Sequence, residues 1–425
     1  MTHPKTIIIG AGFAGLEVAQ RLSRAKTEVL VIDKLNHHLF QPLLYQVATC
    51  ALSSSDIATP IRQVLKDHSH TSFIMGTVSK IDKEKSKVHL ECGMEFHFDN
   101  LIIATGARHS YFGNDQWEEF APGLKTLQDA AIIREKILMA FESAERASTH
   151  AEALNYLRFA IVGAGPTGVE LAGSIAEIAF TSMKKNFTKI RPKEAKIFLI
   201  EGASKILPGF PEALSMRAHQ DLEKLGVTVL TNQKVTNITA EGVVIGSELL
   251  KAPTVLWAAG NQASSLLKTL DTALDRQGRA IVEPDLTLPG YPNIFVLGDA
   301  AHCLDKHGQA LPGLAPVAKQ QGAYVAKLIK NNTPKLQRKP FSYFDKGSLA
   351  TIGKGKAVGM MGKLKFTGHF AWFIWSVVHV MYLIEFKNRL LVLIHWCYLY
   401  LTGKRSVQLI TRPIEHSPDD KDVQT

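Results

Sequence analysis

The stretch from Thr6 to Asp33 constrains the fold more than any other part of the chain. A β-branched run, Ile7 to Ile9, leads into the turn Gly10-Ala11-Gly12-Phe13-Ala14-Gly15, and a helix-period stretch follows. A second apolar run, Val29 to Ile32, ends on Asp33. This order of strand, glycine turn, helix, strand and acid is typical of a dinucleotide-binding βαβ unit.

Each glycine of the turn has a physical role in such a unit. Gly10 permits the tight turn, Gly12 lets the backbone approach a pyrophosphate, and Gly15 lets the helix pack closely on the strand. The helix N-terminus adds unpaired N–H groups and partial positive charge, and Asp33 would accept hydrogen bonds from ribose hydroxyls. An ordinary glycine turn of an α/β domain is the alternative, but strand, helix and acid together favour a nucleotide site.

The same pattern returns further along the chain, after the strand-like run Phe159 to Val162. Five positions of the first unit, Gly10, Gly12, Gly15, Glu17 and Ala19, recur in register as Gly163, Gly165, Gly168, Glu170 and Ala172. A basic insertion, Ala179 to Ala195, delays the next strand, Lys196 to Ile200, which ends on Glu201. This acid would hold a ribose 2′-hydroxyl and repel a 2′-phosphate, which favours NADH over NADPH. The sequence therefore predicts two nucleotide-binding folds.

Alternating residues predict strands from Phe73 to Ile81 and from Lys87 to Phe98, and helical periodicity predicts helices from Leu127 to Arg146 and from Val169 to Ala179. The segment from Lys34 to Ala58 fits neither period and is interpreted as a loop and a short helix. Glu17 and Glu170 have the same position in their helices, and a packing or capping role is the alternative for both.

Other buried runs end on small residues, which bring backbone close to a ligand. Leu101 to Ala104 closes on Thr105-Gly106, Thr254 to Ala259 closes on Gly260, and Asn293 to Leu297 closes on Gly298-Asp299. Asp299 is interpreted as a helix N-cap, as an acceptor for a polyol hydroxyl, or as both.

A predicted helix from near Ala315 to Lys330 carries Gln321 on its apolar stripe. A buried carboxamide must find a hydrogen-bond partner. The partner can be a backbone group or a ligand carbonyl, and the sequence favours neither.

The four cysteines, Cys50, Cys92, Cys303 and Cys397, form neither a CxxC pair nor a metal-like set. This usage predicts a reducing compartment without disulfides or zinc. The paired cysteines of disulfide reductases are missing. A pair of Cys50 with Cys303 stays open, although we interpret both as small buried residues.

The apolar stretch from Phe370 to Leu401 contains Glu385, Lys387, Asn388 and Arg389 at its centre. As a single span it would place charges at the bilayer midplane, each costing about 2.5–3.5 kcal/mol. We expect two helices instead, Phe370 to Ile384 and Leu390 to Leu401. They would be roughly 22 and 18 Å long, against a hydrocarbon core of about 30 Å. Neither is expected to span.

The formal net charge of +10 is concentrated around this stretch, where Gly353 to Arg412 contains nine bases and one acid. We expect the helices to lie in the interface of an anionic leaflet, with Trp372, Trp375, Trp396 and Tyr398 among the headgroups. A homodimer interface is the alternative, less favoured because interface cores are depleted in charge, and both can hold. His379 and His395 are interpreted as packing or headgroup-level residues. Bases among lipid-like aromatics argue against a nucleic-acid partner. We expect residues 413–425 to be frayed.

Four segments together resemble the two-dinucleotide-binding-domain flavoprotein superfamily: GAGFAG with Asp33, LIIATG, GAGPTGVE and VLGDAA. In that superfamily the first fold carries FAD, the inserted second fold carries NAD(P)H, and the chain then returns to the FAD fold. Three features within it resemble type II NADH dehydrogenase, the single-chain NADH:quinone oxidoreductase. They are FQPLLYQVATCALSSSDI from Phe40 to Ile57, Lys319-Gln320-Gln321-Gly322, and WCYLYLTGKRSVQLI near the end. Lys319 departs from the family pattern, which more often has an uncharged residue there.

The resemblance implies an α/β fold with two Rossmann-like domains in a glutathione-reductase-like arrangement, plus a C-terminal membrane-surface helical region. The expected divisions are 1–150 for the first part of the FAD domain, 151–290 for the NADH domain, 291–340 for the return, and 341–425 for the membrane region.

The resemblance also implies an FAD-dependent NADH:quinone oxidoreductase that does not pump protons. It would lie peripherally on the cytoplasmic face of a bacterial inner membrane and pass a hydride from NADH to FAD and two electrons to a membrane quinone. Glu170 would be an acid near the nicotinamide, Gln321 and Gln320 would contact the quinone head group, and the helix from Ala315 would stabilise the reduced flavin. The alternatives are a soluble flavin reductase serving a ferredoxin-like protein and a membrane-attached flavin-bearing redox scaffold with negligible turnover.

The positions expected to bind the two cofactors follow from these motifs, and no metal site is expected. They are Gly10, Gly12, Phe13, Ala14, Gly15, Asp33, Lys34, Thr49, Val78, Ala104, Thr105, Gly106, Gly163, Gly165, Pro166, Thr167, Gly168, Glu170, Glu201, Ala259, Gly260, Asp299 and Ala318.

Overall fold

The computed structural model describes residues 5–23 and 27–411. The first unit is a six-stranded sheet whose parallel strands alternate with helices. Its strand order is Thr287–Leu288, Tyr291–Val296, Asn100–Ile103, Lys5–Ile9, Glu28–Asp33 and Thr71–Met75. Only the pairing of Thr287–Leu288 with Tyr291–Val296 is antiparallel within this sheet. The carboxyl ends of the central strands therefore meet at one edge, as the βαβ pattern predicts.

Two helices of the first unit, Phe13–Leu22 and Ala315–Lys330, pack against each other. A Cβ built on Gly322 would lie 2.7 Å from the Ala14 carbonyl oxygen. The helices can approach this closely because Gly322 has no side chain.

The second unit is a four-stranded parallel sheet, inserted between strands of the first. Its order is Val227–Leu230, Lys196–Ile200, Arg158–Val162 and Thr254–Trp257. Helices Pro166–Glu177 and Glu212–Lys224 belong to it. The helix expected to run to Ala179 ends at Glu177 and continues as a π-helical turn, Ile178–Ser182.

Two antiparallel meanders accompany the units. Their strands are Val78–Asp82, Lys87–Leu90 and Glu95–His97 in the first, and Val235–Thr239, Gly242–Ile245 and Glu248–Lys251 in the second. A continuous strand expected from Phe73 to Ile81 is wrong, because Gly76 and Thr77 separate the parallel sheet from the meander. The strand expected from Lys87 to Phe98 is also divided, since Gly93 turns the chain with a φ of 85°.

Antiparallel strands Ala107–His109 and Asn261–Ala263 join the two units. Helix Leu127–Arg146 has the bounds expected from its periodicity. The remaining short elements are helices Ile61–Leu65 and His150–Tyr156, paired strands Ala280–Ile281 and Ala301–His302, and 3₁₀ turns Asp115–Glu119, Pro192–Glu194, Ser265–Leu270, Gly298–Ala300 and Lys335–Gln337.

The segment after Asp33, expected as a loop and one short helix, contains more structure than that. Strand His37–Leu39 pairs with Ala58–Pro60, and between them lie the 3₁₀ turn Gln41–Leu43 and helices Leu44–Ala48 and Ser54–Ile57.

The tail, residues 348–411, begins with an antiparallel sheet of Ser348–Thr351, Ala357–Met361 and Leu364–Thr367. Two helices follow, Gly368–Tyr382 and Phe386–Thr402, which confirms the predicted break. The second helix begins earlier than expected, because Arg389 donates to the Leu383 carbonyl and the buried Asn388 faces Ala58 and Thr59. Within the described ranges, no helix is long and apolar enough to cross a membrane.

The tail shares its hydrophobic core with both units. Trp375 and Trp396 are 1% and 4% exposed and pack together at 5.4 Å between ring centroids. The expectation that these two residues lie among lipid headgroups is therefore wrong, whereas Tyr398 is exposed and Trp372 is half-buried against Tyr400. Arg412 and residues 413–425 lie outside the described residues.

Candidate active site

A cavity of about 2280 Å³, here called the cleft, lies where the two units and the tail meet. The predicted site residues that line it are Gly10, Gly12, Phe13, Ala14, Asp33, Lys34, Val78, Ala104, Thr105, Gly106, Gly165, Pro166, Thr167, Glu170, Asp299 and Ala318. The predicted residues that do not line it are Gly15, Thr49, Gly163, Gly168, Glu201, Ala259, Gly260, Gln320 and Gln321. The cleft thus brings both glycine turns into one space.

The first glycine turn leaves room for a ligand only at its middle glycine. A Cβ on Gly10, whose φ is +98°, would lie 2.3 Å from the Ala104 carbonyl oxygen, and one on Gly15 would lie 1.9 Å from the Gly10 carbonyl oxygen. A Cβ on Gly12 would meet no protein atom within 4 Å. Gly10 and Gly15 are therefore needed for packing, and Gly12 keeps the backbone open towards the cleft.

In each βαβ unit, the acid that follows the second strand is hydrogen-bonded to the backbone of the glycine turn. Asp33 accepts hydrogen bonds from the backbone N–H groups of Ala11 and Leu35, at 2.6 and 2.8 Å. Glu201 repeats this arrangement with Ala164 and Ala203, at 2.7 and 2.9 Å. Burial raises the pKa of Asp33, and the two N–H donors oppose that shift.

Two polar groups of the cleft, the Thr105 hydroxyl and the Asp299 carboxyl, are candidates to contact a ligand. The hydroxyl oxygen of Thr105 is one of the buried side-chain atoms without a hydrogen bond among the described residues. Asp299 lies inside the 3₁₀ turn Gly298–Ala300, whose N-cap is Leu297, so Asp299 does not have the N-cap role that was one of its interpretations. Burial raises the pKa of Asp299, and the charge of Lys125 opposes the shift. Both groups are available to a polar ligand.

Helix Ala315–Lys330 begins where the sequence predicted, and its start lies on the cleft. Leu314, Ala315 and Pro316 line the cavity, and the first turn contains no acidic residue. The partial positive charge of this helix end is therefore directed at any ligand beside it.

The two glutamines of that helix are engaged with backbone. The Gln321 oxygen accepts from the Gly298 N–H at 2.6 Å, and the side chain is 1% exposed. Gln320 donates to the Phe344 carbonyl and accepts from the Phe344 N–H, both at 2.9 Å. The backbone alternative for Gln321 is thus the observed one, and neither glutamine is placed to contact a head group in the cleft.

Lys319 and Glu17 form an ion pair at 3.3 Å, and Glu17 also pairs with Arg21 at 2.6 Å. Lys319, the residue that departs from the family pattern, therefore links the two packed helices of the first unit. Glu17 has the packing role that was its alternative interpretation.

Glu170 lies in the cleft beside Tyr45, and burial raises the pKa of this carboxyl to about 8. The backbone N–H of Thr351 donates to it and opposes the shift. Near neutral pH the carboxyl therefore retains its proton, which makes Glu170 a candidate proton donor.

Thr49, expected at a cofactor, lies behind the cleft instead. Its hydroxyl donates to the Tyr45 carbonyl at 2.8 Å, and Arg405 donates to the Thr49 carbonyl at 2.5 Å. Thr49 is fully buried against the tail and does not line the cleft, and its role at a cofactor stays a prediction.

The first tail helix closes one end of the cleft with Val378, His379 and Tyr382. The His379 ring stacks on Trp375 at 4.2 Å, and burial lowers the pKa of His379 to about 4. The Tyr382 hydroxyl accepts from the Lys346 ammonium at 2.9 Å. Sequence analysis missed Tyr45, Lys125 and Tyr382 as lining residues, because no local pattern indicates which distant segments meet.

Cys50 and Cys303 are free and buried, as interpreted, and Cys92 and Cys397 are free and exposed. Burial raises the pKa of both buried thiols to about 11, so neither is an activated thiolate. Within residues 5–23 and 27–411, no group of three His, Cys, Asp or Glu side chains could hold a metal ion.

Comparison with known proteins places this geometry in a family. Residues 4–322 match the pyridine nucleotide-disulphide oxidoreductase family, and residues 346–405 match the NDH2 C-terminal domain. The type II NADH:quinone oxidoreductase NdhA of Mycobacterium tuberculosis is 41% identical over 96% of this chain and 89% of its own length. The chain belongs to the type II NADH:quinone oxidoreductase family.

Two further similarities are at lower identity. The Staphylococcus aureus (strain MW2) type II NADH:quinone oxidoreductase is 30% identical over 88% of this chain and 94% of its own length. The structure of NDH2 from Plasmodium falciparum in complex with NADH superposes with a TM-score of 0.87 over 95% of this chain and 99% of that chain, at 23% identity. The predicted two-unit flavoprotein fold and the resemblance to type II NADH dehydrogenase are confirmed.

Proposed function

We propose that this protein oxidises NADH and reduces a membrane quinone by way of bound FAD. The observation that carries this proposal is the cleft, in which two glycine turns of the same build, the acid Glu170 and the first tail helix share one cavity. Bound FAD supplies the chemistry, accepting a hydride from NADH and delivering two electrons to the quinone. Residues 1–150 and 291–340 would form the FAD-binding part, 151–290 the NADH-binding part, and 341–425 the membrane region.

The residues present fit FAD at the first glycine turn. Gly12 leaves the space that a pyrophosphate needs, and Asp33 has acceptor positions left for ribose hydroxyls. The Thr105 hydroxyl and the Asp299 carboxyl offer further polar contacts in the cleft. Gly10, Phe13, Ala14, Lys34, Val78, Ala104, Gly106 and Ala318 would complete this lining. The start of helix Ala315–Lys330 would stabilise negative charge on the ligand.

NADH would bind at the second glycine turn. Gly165, Pro166 and Thr167 line the cleft, and Glu201 holds the loop from behind in the same way as Asp33. Gly163, Gly168, Ala259 and Gly260 would shape the turn rather than face the cavity. A carboxylate at Glu201 disfavours the 2′-phosphate of NADPH.

Quinone would enter at the tail end. Of the two protons that its reduction to quinol consumes, one arrives with the hydride of NADH, and Glu170 would donate the other. Burial raises the pKa of the Glu170 carboxyl to about 8, so it can hold this proton near neutral pH. Gln320 and Gln321 would act on this site indirectly, by holding Phe344 and Gly298 in place.

The two tail helices would seat the enzyme on an anionic lipid surface, peripherally on the cytoplasmic face of a bacterial inner membrane. The first helix exposes Phe370, Phe373, Val377 and Met381, and the second exposes Leu390, Leu393, Ile394 and Leu401. The exposed bases Lys363, Lys365, Lys387 and Lys404 lie on or near these helices. An apolar stripe flanked by bases is typical of an interfacial helix. A homodimer through the same face is the competing occupant.

Steady-state turnover of the FAD-loaded protein tests the proposal. We expect one NADH consumed per water-soluble quinone reduced, with kcat/KM for NADPH at least about tenfold lower because of Glu201. In proteoliposomes, turnover should build no membrane potential. A protein that reduces a ferredoxin but no quinone would support the soluble-reductase alternative, and one that binds FAD without turnover would be the scaffold.

A further inference from the structure

The second tail helix is joined to the cleft by a chain of buried hydrogen bonds. The Trp396 indole N–H donates to the Gln46 side-chain oxygen at 2.7 Å, and the Gln46 nitrogen donates to the Tyr45 hydroxyl at 3.0 Å. The Tyr45 hydroxyl lies 2.9 Å from the Thr351 hydroxyl. All four side chains are less than 9% exposed.

The direction of this chain is fixed from the tail. An indole N–H can only donate, so it specifies which end of the Gln46 amide is oxygen and leaves the nitrogen to donate to Tyr45. Because the Tyr45 oxygen accepts from Gln46, its own proton is free for the Thr351 hydroxyl. A single indole in the tail therefore sets the orientation of a phenol that lines the cleft.

Thr351 is the last member and lies next to Glu170, because strand Ser348–Thr351 packs on helix Pro166–Glu177, which carries Glu170. Its backbone N–H favours the ionised form of the Glu170 carboxyl, and its side-chain hydroxyl is the one bonded to Tyr45. The Tyr45–Thr351 hydrogen bond is therefore placed to hold the strand end that faces Glu170.

We propose that the second tail helix positions the acid Glu170 for proton transfer through Trp396, Gln46, Tyr45 and Thr351. These four are positioning residues, and the inference rests on the proposed role of Glu170 in quinone reduction. The segment Phe40 to Ile57 and the C-terminal stretch, which both carried the family resemblance, thereby act on the same carboxyl.

Several ionisable groups lie near Glu170. Tyr45, from the segment after Asp33, interacts electrostatically with it, and burial keeps this phenol neutral. Among the charged groups near it, Glu177 on its own helix pairs with Arg405, and Asp221 on helix Glu212–Lys224 pairs with Arg217 and Lys356. Breaking the chain at Trp396 alters none of these pairs.

The experiment compares two tryptophan variants of the FAD-loaded enzyme. Trp396→Phe removes the N–H that starts the chain. Trp375→Phe is the matched control, because the buried indole nitrogen of Trp375 has no hydrogen-bond partner among residues 5–23 and 27–411. The measurement is the alkaline limb of the pH profile of quinone reduction.

We expect the limb of Trp396→Phe to move to higher pH by about 0.5 unit, because a slackened Thr351 N–H supports the carboxylate less. Trp375→Phe should keep the wild-type limb. Gln46→Leu breaks the next link and should give the same shift, and the double variant Trp396→Phe with Gln46→Leu should shift no further. An unmoved limb in both Trp396→Phe and Gln46→Leu, or an equal shift in Trp375→Phe, would overturn the inference.

A second measurement separates this inference from the proposed function. The carboxyl C=O stretch that disappears in Glu170→Gln reports the protonation of Glu170 by infrared titration, whether or not the limb belongs to it. If Glu170→Gln retains the alkaline limb, the proposed proton donor is wrong. The infrared titration alone then tests the hydrogen-bond chain. A higher pKa of Glu170 in Trp396→Phe and Gln46→Leu supports the inference, and an unchanged pKa refutes it.

Discussion

Gly12 and Gly15 lie in the same turn, but only Gly12 has free space where a Cβ would be. We predict that Gly12→Ala folds with an unchanged melting temperature as apoprotein but binds FAD at least about tenfold more weakly, because its methyl group enters only the cleft. Gly15→Ala should fold poorly, since its Cβ would lie 1.9 Å from the Gly10 carbonyl oxygen. Thermal denaturation and flavin titration check both. A stable Gly15→Ala protein would contradict the packing argument.

Residue roles were predictable where they depend on local backbone. The glycines and Asp33 lie in one continuous motif, so the pattern itself specifies their geometry. The partner of Gln321 was not predictable, because it is the Gly298 N–H of a distant strand end. The partner of the Thr49 carbonyl was not predictable for the same reason, since it is Arg405 of the tail.

The tail helices have one face for the protein and one for a partner. We predict that Phe373→Glu lowers the binding of the enzyme to anionic phospholipid vesicles at least about tenfold, because it places a charge within the apolar stripe. Leu336→Glu is the matched control, as Leu336 is 99% exposed but lies outside the tail. Vesicle sedimentation measures both. Equal loss in the two variants would contradict a specific lipid-facing stripe, and loss of self-association instead would identify a second copy as the occupant.

Long elements were predicted better than short ones. Helix Leu127–Arg146 and strand Lys196–Ile200 have the expected bounds, because amphipathic periodicity or a continuous apolar run specifies them. The expected strand from Phe73 to Ile81 contains two strands in different sheets, since one glycine can redirect a chain without changing its hydrophobic pattern. The inward placement of Trp375 and Trp396 depends on tertiary packing and leaves no signal in composition.

Arg405 joins the tail to both units of the molecule. Its guanidinium donates to the carbonyl and hydroxyl of Thr49, to the Ser174 carbonyl and to Glu177, at 2.5 to 3.3 Å. Burial raises the pKa of Glu177, and Arg405 opposes that shift. The three parts of the fold therefore meet at one buried cation.

We predict that Arg405→Met destabilises the whole protein by about 3–5 kcal/mol, because it leaves Glu177 buried without its cation. The loss should appear as a lower denaturant midpoint in chemical unfolding, with the first unit and the tail losing structure together. Lys404→Met, at the exposed neighbour, is the control and should change the midpoint little. Unfolding of the tail alone, with both units intact, would show that Arg405 stabilises only the tail.

The paired bonds of Asp33 and Glu201 have a consequence for how nucleotides arrive. Each carboxylate accepts hydrogen bonds from two backbone N–H groups of its own loop, so the protein's own hydrogen bonds hold both nucleotide-binding loops in shape. The entropic cost of shaping these loops is met at folding and need not be met again at association. Each nucleotide should therefore bind to a loop that is already in its binding conformation. Its affinity should depend on the contacts that it makes rather than on a rearrangement of the loop.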